Sequence, residues 1–478
     1  MVVNTTGSAN IAIGNSSLYC NTFGCNNIAL GASALCNNTT GSNNTALGSF
    51  ALTCNTVGIN NTAIGNGALR NNTTGSNNFA VGCCALLCNT SGCDNIAQGY
   101  RALASNTTGC NNFAQGFRAL GLNTTGINNF AQGSFALYCN NGSGNSAQGY
   151  CALSCNTTGC YNFAQGTFAL AGNTTGCNNS AQGFCALRCN TTGCNNSAQG
   201  NSALLSNTTG NNNFAQGYSA LRCNTTGRNN VAQGYCALSK NTTGCSNIAV
   251  GCLALSTNTF GRYNTALGEQ ALFGNTFGCQ NIAAGYFALN ANTTGSENVA
   301  IGNSALWQNS FGCYNVAAGY YALYNNTTGC NNIGIGPCAG IAISTGANNT
   351  VIGSLPAAAG CVCTLLLGAG TCERIRVDNS GLYVNNTLQA PLNIQEFSAT
   401  SSQTTFTVTG GYTVGTVQVY ANGANLGSAD FTASNGTTVI LAEARNTGDT
   451  IRIISGGSTT AVNNIQNFAV AMSVAMAM

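Results

Sequence analysis

The stretch Asn190–Ser206, NTTGCNNSAQGNSALLS, decides the fold, because close copies of it precede and follow it along most of the 478-residue chain. Its Ala-x-Gly element recurs with the glycine at Gly14 and then every 17 residues to Gly133. One 16-residue step leads to Gly149, and the 17-residue register then holds to Gly353. A unit this short cannot bury a core alone, so stacked copies must share one, and the product is a solenoid. Within the unit, Asn-Thr-Thr-Gly reads as a turn, with the Asn side chain bonding nearby backbone and Gly supplying positive φ. N-x-A-x-G alternates as a short strand, and the x-A-L that follows reads as a second one.

Two or three short strands per coil and no helical periodicity give an all-β chain, a parallel β-solenoid or β-roll of about 21 coils over residues 1–356. With coils rising by the strand spacing of about 4.8 Å, the shaft is roughly 100 Å long. Alternation puts the alanine and glycine on the packed face and the variable positions on the other. The residue before the glycine is apolar in the first five coils, Ile13 to Val81. It is then glutamine in nine, Gln98, Gln115, Gln132, Gln148, Gln165, Gln182, Gln199, Gln216 and Gln233, and apolar again from Val250 to Ile352. Two readings stand for this column: a ladder of amides bonded coil to coil, or a polar channel on a threefold axis holding water or a small ion. Either predicts ordered side chains, because buried amides need partners.

Composition narrows the function classes. Charged residues are 4% of the chain, histidine is absent, proline occurs 3 times and glycine 62 times. The repeats hold eight basic residues against three acidic ones, Asp94, Glu269 and Glu297. That is no basic stripe for nucleic acid and no convergent acid/base pair for hydrolysis, so neither a nucleic-acid partner nor an enzyme is expected. No apolar run is long enough for a transmembrane helix, so no membrane insertion is expected. The start, MVVNTTGSANIAIG, lacks the regions of an ordinary signal peptide.

The 28 cysteines follow the coil. Many flank the turn, as Cys20 and Cys25 do, and three coils carry C-x3-C-x4-C: Cys84/Cys88/Cys93, Cys151/Cys155/Cys160 and Cys185/Cys189/Cys194. Disulfides across the turn or between coils fit the stacking distance and would imply an oxidising destination. Packing as small hydrophobes is the alternative. Metal binding would need paired spacing or histidine, and no metal or cofactor is expected.

From Leu355 the period fails. Residues 357–395 read as a neck with short hairpin strands, and 396–457 as a small antiparallel β-sandwich with turns at Asn422-Gly423 and Asn435-Gly436. Residues 458–478 form an apolar tail.

The coil N-T-T-G-x-N-N-x-A-x-G-x-x-A-L resembles repeats of bacteriophage long tail fibres and giant-virus fibre-like proteins. It is more distantly similar to the head repeats of trimeric autotransporter adhesins. Glu373–Gly381 looks like the E-R-x-R-x-D-x-S-G element that often follows such repeats, and the segment from Phe397 looks like a β-domain common at fibre ends. The resemblance implies a homotrimeric fibre on a virion surface or otherwise extracellular. Its partners would be a host-surface glycan or protein receptor and a virion attachment protein at the N-terminus. The chain shows none of the N-terminal attachment domain, chaperone peptidase or membrane barrel of those families. The rival reading is therefore a filament of trimers stacked end to end.

Overall fold

The computed structural model describes residues 4–369, 372–378, 381–384, 387–389, 393–409 and 417–455; the apolar tail expected over 458–478 lies outside them. Twenty-one three-residue strands, from Ile11–Ile13 (β1) to Thr350–Ile352 (β21), stack in parallel. Each pairs in register with the next, as Ile11 with Ile28, Ala12 with Ala29 and Ile13 with Leu30. The chain is thus a parallel β-solenoid.

Each coil contains one strand rather than two or three. The x-A-L segment is a run of turns, because Ser202 (φ 58°) and Leu204 (φ 51°) both lie in the left-handed region. The backbone still bonds between coils without strand geometry. The Ser202 amide donates back to Phe184 O at 2.9 Å, and the Leu204 amide donates forward to Ala220 O at 3.0 Å. A left-handed leucine costs roughly 1–2 kcal/mol. Leu204 is fully buried, as is its counterpart in the neighbouring coils, and burying a leucine contributes about 1.5–3 kcal/mol, so packing outweighs the strain.

The interior has two chemistries. One side is a column of strand alanines beside columns of Ala and Leu from the turn run, all sealed from solvent. The other side is asparagine. From Asn21 to Asn326 the turn asparagines are fully buried, and each amide donates both to the preceding coil and to its own turn. Asn207 Nδ2, for example, reaches Asn190 Oδ1 at 2.8 Å and Gly210 O at 3.0 Å. A second ladder uses the asparagine before the strand. Asn196 Nδ2 donates to Gly210 O at 2.8 Å, and its Oδ1 accepts the backbone amide of Asn213 at 3.0 Å. No asparagine is among the buried side chains left without a hydrogen-bond partner within the described residues, which is the condition for a polar core to stabilise rather than destabilise.

The glycines are dictated by coil-to-coil contact. Gly200 has φ +134°, and a Cβ there would lie 2.5 Å from Gly217 O; a Cβ on Gly193 would meet Gly210 O at 2.5 Å and Asn190 Oδ1 at 2.4 Å. No side chain fits either place.

The 16-residue coil is absorbed in its turn. Asn141 Oδ1 accepts the Thr124 amide and hydroxyl at 2.7 and 2.8 Å, standing in for the carbonyl that serves elsewhere, as Thr124 O serves Thr107. Asn140 keeps the ladder continuous, taking Asn156 Nδ2 at 2.6 Å. At the other end the repeat changes by compensation. Ile343 replaces the turn asparagine and is fully buried, while Gly340 replaces leucine, and a Cβ there would meet Leu323, Ile343 and Val351 side chains.

The sheet does not stop at 356. Leu365–Ala369 (β22) pairs in parallel with β21, Thr350 opposite Leu365. Antiparallel pairing then adds Cys372–Asp378 (β23), Gly381–Val384 (β24) and Thr387–Gln389 (β25). Beyond it, Asn393–Ser398 (β26), Thr450–Ser455 (β32), Val417–Ala421 (β28) and Ala424–Asn425 (β29) form one antiparallel sheet. Gln403–Thr407 (β27), Thr438–Arg445 (β31) and Phe431–Thr432 (β30) form another. Phe406, Val419, Val439, Leu441, Ile451 and Ile453 from both sheets share one core, a small β-sandwich. Asn422 (φ 48°) and Gly423 (φ 82°) make the expected hairpin turn.

Candidate functional site

With alanine inward, the strand's two flanking residues form the solvent face of the shaft sheet. The nine glutamines stand in one outward column, either half-buried or exposed within one chain. Five amide links are formed: Gln115 to Gln98 at 3.2 Å, Gln132 to Gln115 at 3.1 Å, Gln148 to Gln132 at 2.9 Å, Gln165 to Gln148 at 3.3 Å and Gln216 to Gln199 at 3.1 Å. Gln182 and Gln233 stack in register in the same column. Within one chain the column therefore lies on the surface, with amide links at five of its eight steps. In the parallel column, Phe113 and Phe130 stack at 4.8 Å. Towards both ends the face turns apolar, with Ile13 62% and Ile301 50% exposed.

None of the 42 outward residues on these 21 strands is charged. Every charged residue of the repeats lies at another position of the coil, among them Arg101 and Arg118 on the turn run, Arg228 and Arg262 after the turn glycine, Glu269 after the strand glycine, and Asp94 and Glu297 before the buried asparagine. Asp94 lies about ten coils from the other two, and Glu269 and Glu297, two coils apart, occupy different positions of the coil, one after the strand glycine and one before the buried asparagine. Asp94 accepts Asn77 Nδ2 at 3.1 Å, and Glu297 raises the pKa of the Tyr314 phenol beside it.

All 28 cysteines are free thiols, so none of the disulfide candidates is bonded. Those after the turn glycine have a different task. Cys177 Sγ accepts the Cys160 amide at 3.1 Å and Cys194 Sγ accepts the Cys177 amide at 3.2 Å, while each thiol reaches back to a carbonyl two residues earlier. Cys93 does the same for Ser76. Ser42 and Asn211 fill this slot for Cys25 and Cys194. The position calls for a small acceptor, and cysteine is one way to supply it. At Cys25 the Ser8 hydroxyl and amide both donate to Sγ and lower the thiol pKa.

The remaining candidates occupy other corners of the coil. Cys20, Cys88, Cys155 and Cys189 precede the turn asparagine, the last two exposed. Cys84, Cys151 and Cys185 take the left-handed position of the turn run, where burial raises the Cys84 pKa and Cys185 is buried. The members of each C-x3-C-x4-C motif are thus spread around one coil, and no three metal-ligating side chains converge among the described residues.

Sequence reasoning missed the two buried asparagine columns as the polar half of the core. The signal was present in the N-N pair: its first member changes to Asp94, Tyr161, Ser246 or Glu297, while the second is asparagine in every coil from Asn10 to Asn349. The first takes a left-handed φ that many residues tolerate, and the second needs an amide with both donor and acceptor. Comparison with known proteins finds no match to a family model, to a curated protein or to a solved structure.

Proposed function

We propose that the protein is a structural fibre whose shafts associate through the solvent face of the sheet, as a homotrimer with chains parallel and in register, and that it carries its C-terminal sandwich to a host surface. The observation behind it is the charge-free face, since a solvated sheet would ordinarily carry charges against edge and face association. Twenty-one strands at about 4.8 Å spacing, each about 10 Å long, present roughly 1,000 Å² per copy. In a trimer each copy divides this face between two neighbours, so each pairwise contact buries about 1,000 Å² in total, the size at which a specific interface begins. Parallel register sets apolar ends against apolar ends and glutamine against glutamine. The trimer, the virion or extracellular setting and the receptor rest on the resemblance of the coil and the elements after it to viral fibres. A role in spanning and presenting, without catalysis, is part of the same reading.

Sedimentation of the full chain tests it. The expected mass is three times that of the chain. Ile282→Lys, at a residue 44% exposed on the sheet face, should yield folded monomers, and Phe277→Lys, at a turn residue 56% exposed, should not. A wild-type monomer at micromolar concentration sinks the proposal.

A further inference from the structure

One part of the shaft breaks the pattern twice at the same place. In the column after the buried leucine, Ala104 and Gly121 follow one another between Leu87 and Tyr138. Two small residues in adjacent coils leave a pit of about 260 Å³ in the shaft wall. The Tyr138 ring leans over Gly121, where a Cβ would meet it at 2.9 Å, and forms one wall. In the same two coils the second residue after the strand glycine is arginine, Arg101 and Arg118, and in no other coil of the chain. Both line the pit.

The arginines have no carboxylate partner among the described ion pairs. Arg118 Nε is buried with no hydrogen-bond partner, although a guanidinium has five donors to satisfy and buried donors are normally paired. Tyr100 and Phe117 support the two guanidinium groups from beneath, each with Cζ 5.5 Å from the ring centroid. Two arginines one coil apart form a fork for a planar or tetrahedral oxyanion. Leu122 and Tyr138 add apolar surface beside it, as in concave sites that combine apolar walls with a few placed polar groups.

We propose that this pit is a binding site for an acidic saccharide unit, its carboxylate or sulfate ester held by Arg101 and Arg118 and its ring against Tyr138. A long polyanion would need cations continuing along the shaft, whereas these two stand together and the repeats carry only six other basic residues. The proposal is independent of the sheet-face association, because it uses another side of the coil, and either can fail alone.

Calorimetric titration of the full chain at low salt tests it, with D-glucuronate, D-glucose 6-sulfate, sodium sulfate and D-glucose. Both acidic sugars should bind saturably at one site per chain, sodium sulfate more weakly, and glucose not at all. Arg118→Gln should weaken binding by about tenfold or more, the loss of a charged hydrogen bond. Ala104→Leu should abolish it by filling the pit while leaving the circular dichroism unchanged, since Leu87 and Leu205 occupy the same column. Arg188→Gln, whose guanidinium stacks on Phe168 outside the pit, should bind as wild type. Absence of saturable binding, or full binding by Ala104→Leu, overturns the site. Sulfate binding as tight as the sugars, or an oligonucleotide binding where the sugars do not, overturns the saccharide assignment.

Discussion

Replacing one rung of the asparagine ladder tests the polar half of the core. In Asn207→Ala the lost side chain leaves Asn190 Oδ1 without its 2.8 Å donor and Asn224 Nδ2 without its 2.8 Å acceptor. Gly210 O keeps a donor, because Asn196 Nδ2 also reaches it at 2.8 Å. Two buried groups are therefore orphaned, at about 1–3 kcal/mol each, for a destabilisation of about 2–6 kcal/mol. Because a solenoid is stabilised by nearest-neighbour interfaces, the loss should be local. Hydrogen-exchange mass spectrometry should show faster exchange of backbone amides in the coils around Asn190, Asn207 and Asn224, with coils near Asn55 and Asn309 unchanged. Thr209→Ala, at an exposed turn position of the same coil, should stay within about 0.5 kcal/mol. Equal protection in the Asn207 and Thr209 variants would show that the ladder is not what holds the coils together.

Two further predictions follow from the thiols and the carboxylates. Cys177→Ser should retain wild-type stability to within about 0.5–1 kcal/mol, because a hydroxyl makes the same cap as Ser42, whereas Cys177→Val should lose about 1 kcal/mol; chemical denaturation compares them, and equal values for Ser and Val would deny the capping role. The pH response should differ between the two parts of the chain. Asn422 and the Asn446 amide donate to Asp449 and depress its pKa, so its contribution is complete above the unfolded carboxyl pKa and is lost as pH falls through the depressed folded value. Melting of the sandwich should therefore decline in acid, less so in Asp449→Asn. The shaft, built on neutral amides, should melt alike from pH 4 to 8, and a parallel decline in both would refute the assignment.

Much of the architecture was legible because it is periodic. Spacing alone implied stacking, parallel register and a packed face of alanine and glycine, since any other register would put side chains where Gly200 admits none. The turn run was misread as a strand because x-A-L has the composition of one, and a left-handed leucine has no local signature: it is stabilised only by burial against neighbouring coils. The role of the cysteines was left open by the sequence for a similar reason. Proximity in a stack permits a disulfide, but whether Cys177 bonds sulfur or caps a backbone amide depends on where the preceding coil points its N–H.

The sequence by itself determined the repeat, its length and the division between inward and outward positions, because those are set by chain geometry and period. Only the tertiary structure decided that Asn190 and Asn196 are core rather than surface turn residues, because each amide needs partners 14 to 17 residues away in the chain, beyond the bond Asn190 makes within its own turn. It likewise decided that Ala104, Gly121, Arg101 and Arg118 share one pit, since residues a coil apart become neighbours only once the coils are stacked.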